Sequence, residues 1–282
     1  MDPERRSSPL GIFDSGVGGL SVARAIRAQL PGEAIVYVGD QGHVPYGPRP
    51  MAQVRAFAEG ITRFLLGEGA KMIVVACNAA SAAALQHLRN MYPDVPFVGM
   101  EPAVKPAAEH TRTGVVGVLA TPATFQGALY ASVVERFAAG VELIQNTCPG
   151  LVQQIEKGEL DSPRTRAILE AALDPMLKRR IDTVVLGCTH YPFVIPLIRE
   201  IVGDEVRVID PAPAIARQVG RVLKTRDLQG KSARSDGALF YTTGALEPFE
   251  KLLPVLLGEP GEFHSLAWAD EDVVPRLEPA PA

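Results

Sequence analysis

Two cysteines carry the most directly readable chemistry in the chain. Cys77 closes the apolar run MIVVAC (72–77), Cys188 closes TVVLGC (183–188), and a segment of helical period follows each. A thiol at the amino end of a helix lies among unpaired backbone N–H groups, which favour thiolate over thiol and make a cysteine a base or a nucleophile. A lone buried Cys is more often a small hydrophobe. Two at matching places, each followed by polar residues (Asn78; Thr189 and His190), argue for function. The His190 imidazole, which titrates near neutrality, is placed to tune Cys188 or to pass it a proton. Cys148, in NTCPG, has no counterpart and reads as structural.

Three further stretches bear polar chemistry. FDSGVGGLS (13–21) has the look of a phosphate-binding turn, but Ser21 stands where the dinucleotide pattern needs a third Gly or Ala, and Asp14 precedes it. Asp14 would repel a pyrophosphate, yet could bind an ammonium group or act on a proton. A tight strand-to-helix turn explains the glycines equally well. HVPYGPRP (43–50) is a proline-fixed loop in which Pro45, Tyr46 and Gly47 can offer backbone groups and one phenol to a small ligand, or simply form a rigid surface turn. Glu156, in QQIEKGEL, is by default a solvated helix residue, and GKS (230–232) lacks the first glycine and the preceding strand of a P-loop.

The elements that must position these residues alternate. Short β-branched runs at 11–14, 34–39, 72–77, 97–100, 115–120, 141–145, 183–188 and 206–210 are separated by stretches long enough for crossover helices, such as 21–30, 53–66 and 164–179. Runs this apolar suit parallel strands buried on both faces, an α/β pattern. The halves repeat weakly: MIVVACNAAS then PFVGMEPAVKPA is echoed by TVVLGCTHYP then VRVIDPAPAIA. Two pseudo-symmetric lobes follow, each a mostly parallel sheet flanked by helices, with a Cys at the carboxyl end of a strand, where open sheets of this type place ligands. The active site is expected between the lobes. We expect residues 1–99 with 211–282 to form one lobe and 100–210 the other. Residues 238–266 (strand, helix, strand) belong to neither repeat copy and should cross back to the first lobe, and the chain beyond about Val274 looks like a frayed tail.

Composition bounds the rest. The 282 residues are 47% hydrophobic with a net charge of −4, and neither sign forms a long block, which disfavours nucleic acid and anionic membrane as partners. The weakly polar stretch 72–85 is too short for a membrane helix, and MDPERRSSPL lacks the apolar region of a signal peptide. Three cysteines without a C-x-x-C pair fit neither a disulfide framework nor a zinc ribbon, so a cytoplasmic protein with free thiols is expected.

With FDSGVGGLSV, YVGD followed by PYG, VACNAAS, CPGLVQQIEKG and VLGCTHYP in this order, the chain from about Gly11 to Gly258 resembles the glutamate racemases of the cofactor-independent aspartate/glutamate racemase superfamily. The resemblance implies that Cys77 and Cys188 flank the α-carbon of glutamate, one removing its proton and the other delivering one to the opposite face. It also implies that Asp14 assists Cys77, that His190 with Glu156 assists Cys188, and that no cofactor or metal takes part. Substrate contacts carry over to Asp14, Ser15, Tyr46, Gly47, Asn78, Thr121, Thr189 and His190. At Ala79 the family usually has Thr or Ser, so a hydroxyl expected at the substrate is missing there. The implied role is the supply of D-glutamate for peptidoglycan synthesis, and so for cell-wall biogenesis and cell shape, by a small-molecule isomerase often found as a homodimer. The alternatives are a racemase of aspartate or another acidic amino acid, and a catalytically weakened amino-acid-binding or regulatory paralogue.

Overall fold

A computed structural model describes residues 6–230, 238–258 and 261–276. Residues 1–5, Lys231 and Ser232 of the GKS stretch, and the end from 277 lie outside these. Eleven strands form two sheets among the described residues. The first joins β1 (Leu10–Asp14), β2 (Ile35–Gly39), β3 (Met72–Val75) and β4 (Phe97–Gly99) in the order β2-β1-β3-β4. The second joins β5 (Val115–Ala120), β6 (Glu142–Asn146), β7 (Thr183–Gly187) and β8 (Arg207–Ile209) in the order β6-β5-β7-β8. These are the same order with the same parallel sense, so the internal repeat is a repeat of topology.

The first sheet is extended beyond β2. There β9 (Ala238–Thr242) pairs parallel with β2, β10 (Glu262–Ala269) pairs parallel with β9, and β11 (Asp272–Pro275) returns antiparallel on β10. The carboxyl-terminal segment thus crosses back to the first sheet, and β11 occupies the stretch that reads as the start of a frayed tail. Helix Ala212–Thr225 also packs on helix Leu20–Gln29 of the first half.

Central strands β1, β2, β3 and β7 are buried at every residue, as their unbroken Val/Ile/Leu runs demand. Two strands depart from that expectation. β6 and β8 lie at the edges of the second sheet, and their partly exposed residues, ELIQN and RVI, reflect a face left to solvent. No helix among the described residues is long and apolar enough to cross a membrane.

Candidate active site

Four strand ends meet in one place. Asp14 ends β1 and Cys77 follows β3, while Thr121 follows β5 and Cys188 follows β7. In each sheet the central strand and its neighbour therefore deliver their carboxyl ends to a common cleft, the position the repeat requires. A narrow cavity of about 20 Å³ lies there, room for about one water molecule. Its wall includes Ser15, Tyr46, Gly47, Cys77, Asn78, Ala79, Thr121, Cys188, Thr189 and His190. A second, wider cavity of about 230 Å³ adjoins it, sharing Pro45, Gly47, Thr121 and Val152.

The two thiols are held differently. Cys77 caps helix Asn78–Met91, and its Sγ accepts the Ala80 N–H at 3.5 Å while its S–H faces Ser15 Oγ at 3.9 Å. That helix end alone would favour thiolate. Burial and the neighbouring Asp14 charge outweigh it and push the Cys77 thiol well above its ordinary value. Cys188 does not cap an α-helix. Pro192 and Pro196 shape the following chain into a 3₁₀ turn (Tyr191–Val194) before helix Ile195–Val202 begins, so the expected helix start at Cys188 is displaced by several residues. The nearest titratable neighbour of Cys188 is instead His190, whose Nδ1 lies 3.8 Å from Sγ.

His190 is buried and its Nε2 lies 2.6 Å from Glu156 Oε1. Burial alone would lower the imidazole. Hydrogen bonds and charge from Cys188 and Glu156 overcome it and raise His190 well above its ordinary value. Burial would likewise raise Glu156, but His190, Gln41 and the Val17 N–H hold its carboxyl below the usual range. Glu156 is thus no solvated helix residue. It ends helix Leu151–Glu156, and its carboxylate points into the first half of the molecule, 139 residues away along the chain, to take the Val17 N–H at 2.8 Å.

Asp14 stands behind the cavity rather than on its wall. It is fully buried, accepting the Gly19 N–H at 2.7 Å and the hydroxyls of Ser15 and Thr189 at 3.4 Å each. Burial raises its carboxyl, against the His190 charge and hydrogen bonding from the Cys77 thiol and the Ser15 and Gly19 N–H groups. The glycine-rich turn is therefore an anion-binding loop whose anions are the chain's own carboxylates: Glu156 takes Val17 N–H and Asp14 takes Gly19 N–H. The glycines therefore do more than allow a tight turn. A Cβ at Gly16 would lie 2.0 Å from Glu156 Oε1, and one at Gly18 would lie 2.3 Å from His190 Nδ1, so the glycines admit these side chains and leave no berth for a phosphate.

Two other expectations are refined. The Tyr46 phenol is not offered to a ligand but donates to Asp40 Oδ2 at 2.6 Å, leaving the Tyr46–Gly47 backbone at the cavity. Both Asn78 amide atoms are buried at the cavity without a hydrogen-bond partner among the described residues. Cys148 is buried, with its N–H on Asn146 Oδ1 at 2.8 Å, and burial pushes its thiol up to about 12.

Asp40, which ends YVGD, and Gln41, which with Gly42 and His43 stands out as unusual before PYG, have no role assigned from the sequence. Asp40 gathers donors from Tyr46, Thr243 and Trp268, with His43 Nδ1 at 3.0 Å from Oδ2, and so fixes the 43–47 loop against the carboxyl-terminal strands. Gln41 reaches Glu156. An acid at the carboxyl end of β2, next to the central strand that ends in Asp14, was the available signal.

Comparison with known proteins agrees with this geometry. The Asp/Glu/Hydantoin racemase family matches residues 19–219. The chain belongs to that family. The racemase is 52% identical over 252 residues to the glutamate racemase of Pseudomonas paraeruginosa, covering 89% of this chain and 95% of that one. The crystal structure of glutamate racemase isoform RacE1 from Bacillus anthracis superposes with a TM-score of 0.84 at 32% identity, covering 95% of this chain and 99% of that one. The Escherichia coli glutamate racemase, solved with L-glutamate and the activator UDP-MurNAc-ala, gives 0.81 at 33% identity over 92% of this chain and 98% of that one. The racemase is accordingly an isomerase with the two-lobed α/β fold of its relatives.

Proposed function

We propose that the protein interconverts L- and D-glutamate without a cofactor, using Cys77 and Cys188 as the two acid/base groups. One observation carries the reading: thiols from equivalent strand ends of the two sheets face one cavity, each backed by its own proton partner. The α-carbon between them loses its proton to the thiolate on one side, forming S–H and leaving the electron pair delocalised into the carboxylate. The S–H on the other side then gives its proton to the opposite face of that carbon and becomes the thiolate. Asp14 acts on Cys77 and His190 with Glu156 acts on Cys188. Asn78, Thr189 and the Ser15 and Gly47 region hold the amino-acid head group. The cavity between the thiols is far smaller than glutamate, so the lobes, 1–99 with 211–282 and 100–210, part to admit substrate and close to exclude water. In the cell the product would be D-glutamate for peptidoglycan, made in the cytoplasm.

The test is proton NMR of L-glutamate in deuterated water with the purified protein and no added cofactor. Loss of the α-proton signal with formation of D-glutamate, at a rate that falls by about a thousandfold in Cys77→Ala and in Cys188→Ala, is expected. Exchange of aspartate in place of glutamate would reassign the substrate, and binding without exchange would make the protein a regulatory relative.

A further inference from the structure

Gln41 lies outside the cavity and outside the family's motif residues considered above, yet it supplies the donor to the second oxygen of the carboxylate behind His190. Its Nε2 donates to Glu156 Oε2 at 2.9 Å across 115 residues of chain, from the loop after β2 to the helix Leu151–Glu156. Its Oε1 accepts the Thr242 hydroxyl at 2.7 Å, and Thr242 Oγ1 in turn accepts the Gly244 N–H at 3.0 Å. The carboxylate fixes which way the amide points, because an ionised carboxylate can only accept, and the amide oxygen is then turned to the Thr242 hydroxyl, which donates to it. The surroundings are built close around this side chain, since a Cβ at Gly244 would lie 2.8 Å from Gln41 Cβ.

We propose that Gln41 is a positioning residue for the His190–Glu156 pair, holding the carboxylate that orients and charges the imidazole beside Cys188. This rests on the two-thiol reading only for its catalytic consequence. With three donors, Val17 N–H and His190 Nε2 on Oε1 and Gln41 Nε2 on Oε2, the Glu156 carboxylate has one orientation. Without Gln41, Oε2 loses its only protein donor among the described residues, and the carboxylate is free to turn away from His190. The other titratable groups facing the pair are Cys188 and Asp14 at His190, and Tyr37, whose hydroxyl donates to Gly16 O at 2.6 Å. None of these donates to Oε2. An amide is also the neutral side chain that gives a proton to a carboxylate and takes one from a hydroxyl at the same time, which neither leucine nor glutamate does here.

The experiment compares wild type with Gln41→Leu, which keeps the volume and removes both hydrogen bonds, and with Thr242→Val, which removes only the outer one. Two measurements are made on each: the His190 imidazole titration by NMR in the ligand-free protein, and glutamate racemisation against pH. In Gln41→Leu, His190 should lose its proton at a lower pH than in wild type. kcat/KM should fall about tenfold in both directions alike, because the racemisation equilibrium constant is fixed by symmetry. The alkaline limb of the rate profile should move to lower pH. Thr242→Val should shift both in the same sense by less. An unshifted His190 titration in a folded Gln41→Leu protein, with or without loss of rate, overturns the proposal. A shifted titration in a protein whose wild type exchanges no glutamate α-proton upholds the positioning role and sinks the racemase reading instead.

Discussion

The two flanks of the cavity begin from the same place in a repeated topology and end with different proton chemistry. On the first, Cys77 caps a helix and sits with Asp14, and burial pushes both the thiol and the carboxyl upward, toward their protonated forms. On the second, Cys188 sits beside His190, and the Glu156 carboxylate beyond it draws the imidazole upward while itself being held low. One flank sets its thiol beside a carboxyl that burial raises, the other beside an imidazole paired with a carboxylate that is held low. An inversion that must work in both directions needs a thiol and a thiolate at once. The two thiols thus meet unlike neighbours, Asp14 on one flank and the His190–Glu156 pair on the other, even though their strand ends are related by repeat.

That contrast breaks most readily at the second flank. Glu156→Gln removes the charge that keeps His190 protonated while preserving shape, and we expect kcat/KM to fall by about a hundredfold. The sign of the pH effect follows from the raised imidazole. In wild type the imidazolium is lost only as pH rises through its elevated value. In the variant it is lost sooner, so the alkaline limb of the profile moves to lower pH. Asp14→Asn should also slow the reaction but leave that limb nearly in place. Equal movement of the limb in both variants would show that the flanks titrate as one unit.

A second, smaller effect separates the flanks by stability. Asp14 is a buried carboxyl whose native value is raised, so the folded chain holds its proton more tightly than the unfolded chain does. Folding stability therefore falls as pH rises from the unfolded value of about 3.9 through the native one, and the cost is fully present above that. Asp14→Asn keeps an oxygen for the Gly19 N–H and removes the cost. Its Tm should exceed that of wild type at neutral pH, and the gain should vanish as pH falls below about 4. Glu156, whose native value is lowered, contributes stability that is present above the unfolded value and lost in acid, so Glu156→Gln should lower Tm at neutral pH. A gain in both variants would mean that burial dominates on both sides.

What could be read from the chain and what could not divides along the same physical line. Strand ends were legible because an unbroken apolar run such as MIVVAC or TVVLGC has few folds to belong to, and the residue that closes it must face the ligand end of the sheet. The repeat showed which strand ends would meet. The burial of the edge strands was less legible: ELIQN is as long as β1, and the exposure of ELIQN and RVI depends on having a neighbour on one side only. Interactions across more than a hundred residues were hidden altogether. Nothing near QQIEKGEL announces that Glu156 binds the Val17 amide or meets Gln41, and the glycines at 16 and 18 owe their presence to side chains that arrive from the other half. The thiol settings were half legible, since a cysteine before a helix is visible in sequence, while the burial that overrides the helix end is not.

The smallest expected effect tests the head-group wall that the two flanks share. Ala79 is buried at the cavity beside Asn78, whose amide has both polar atoms unpaired among the described residues. A hydroxyl at position 79 would add one donor and acceptor where a polar head group is expected to sit, worth on the order of 1 kcal/mol if it is bonded. Ala79→Thr should therefore preserve or improve glutamate turnover, with KM falling by up to about fivefold and kcat little changed. The change is visible in steady-state kinetics run side by side with wild type. A large loss of kcat would mean that the wall here has closed around the missing hydroxyl. The Asn78 amide would then be held for a head group placed differently from the one proposed, and the asymmetry of the two thiols would have to be re-examined against that new position of the α-carbon.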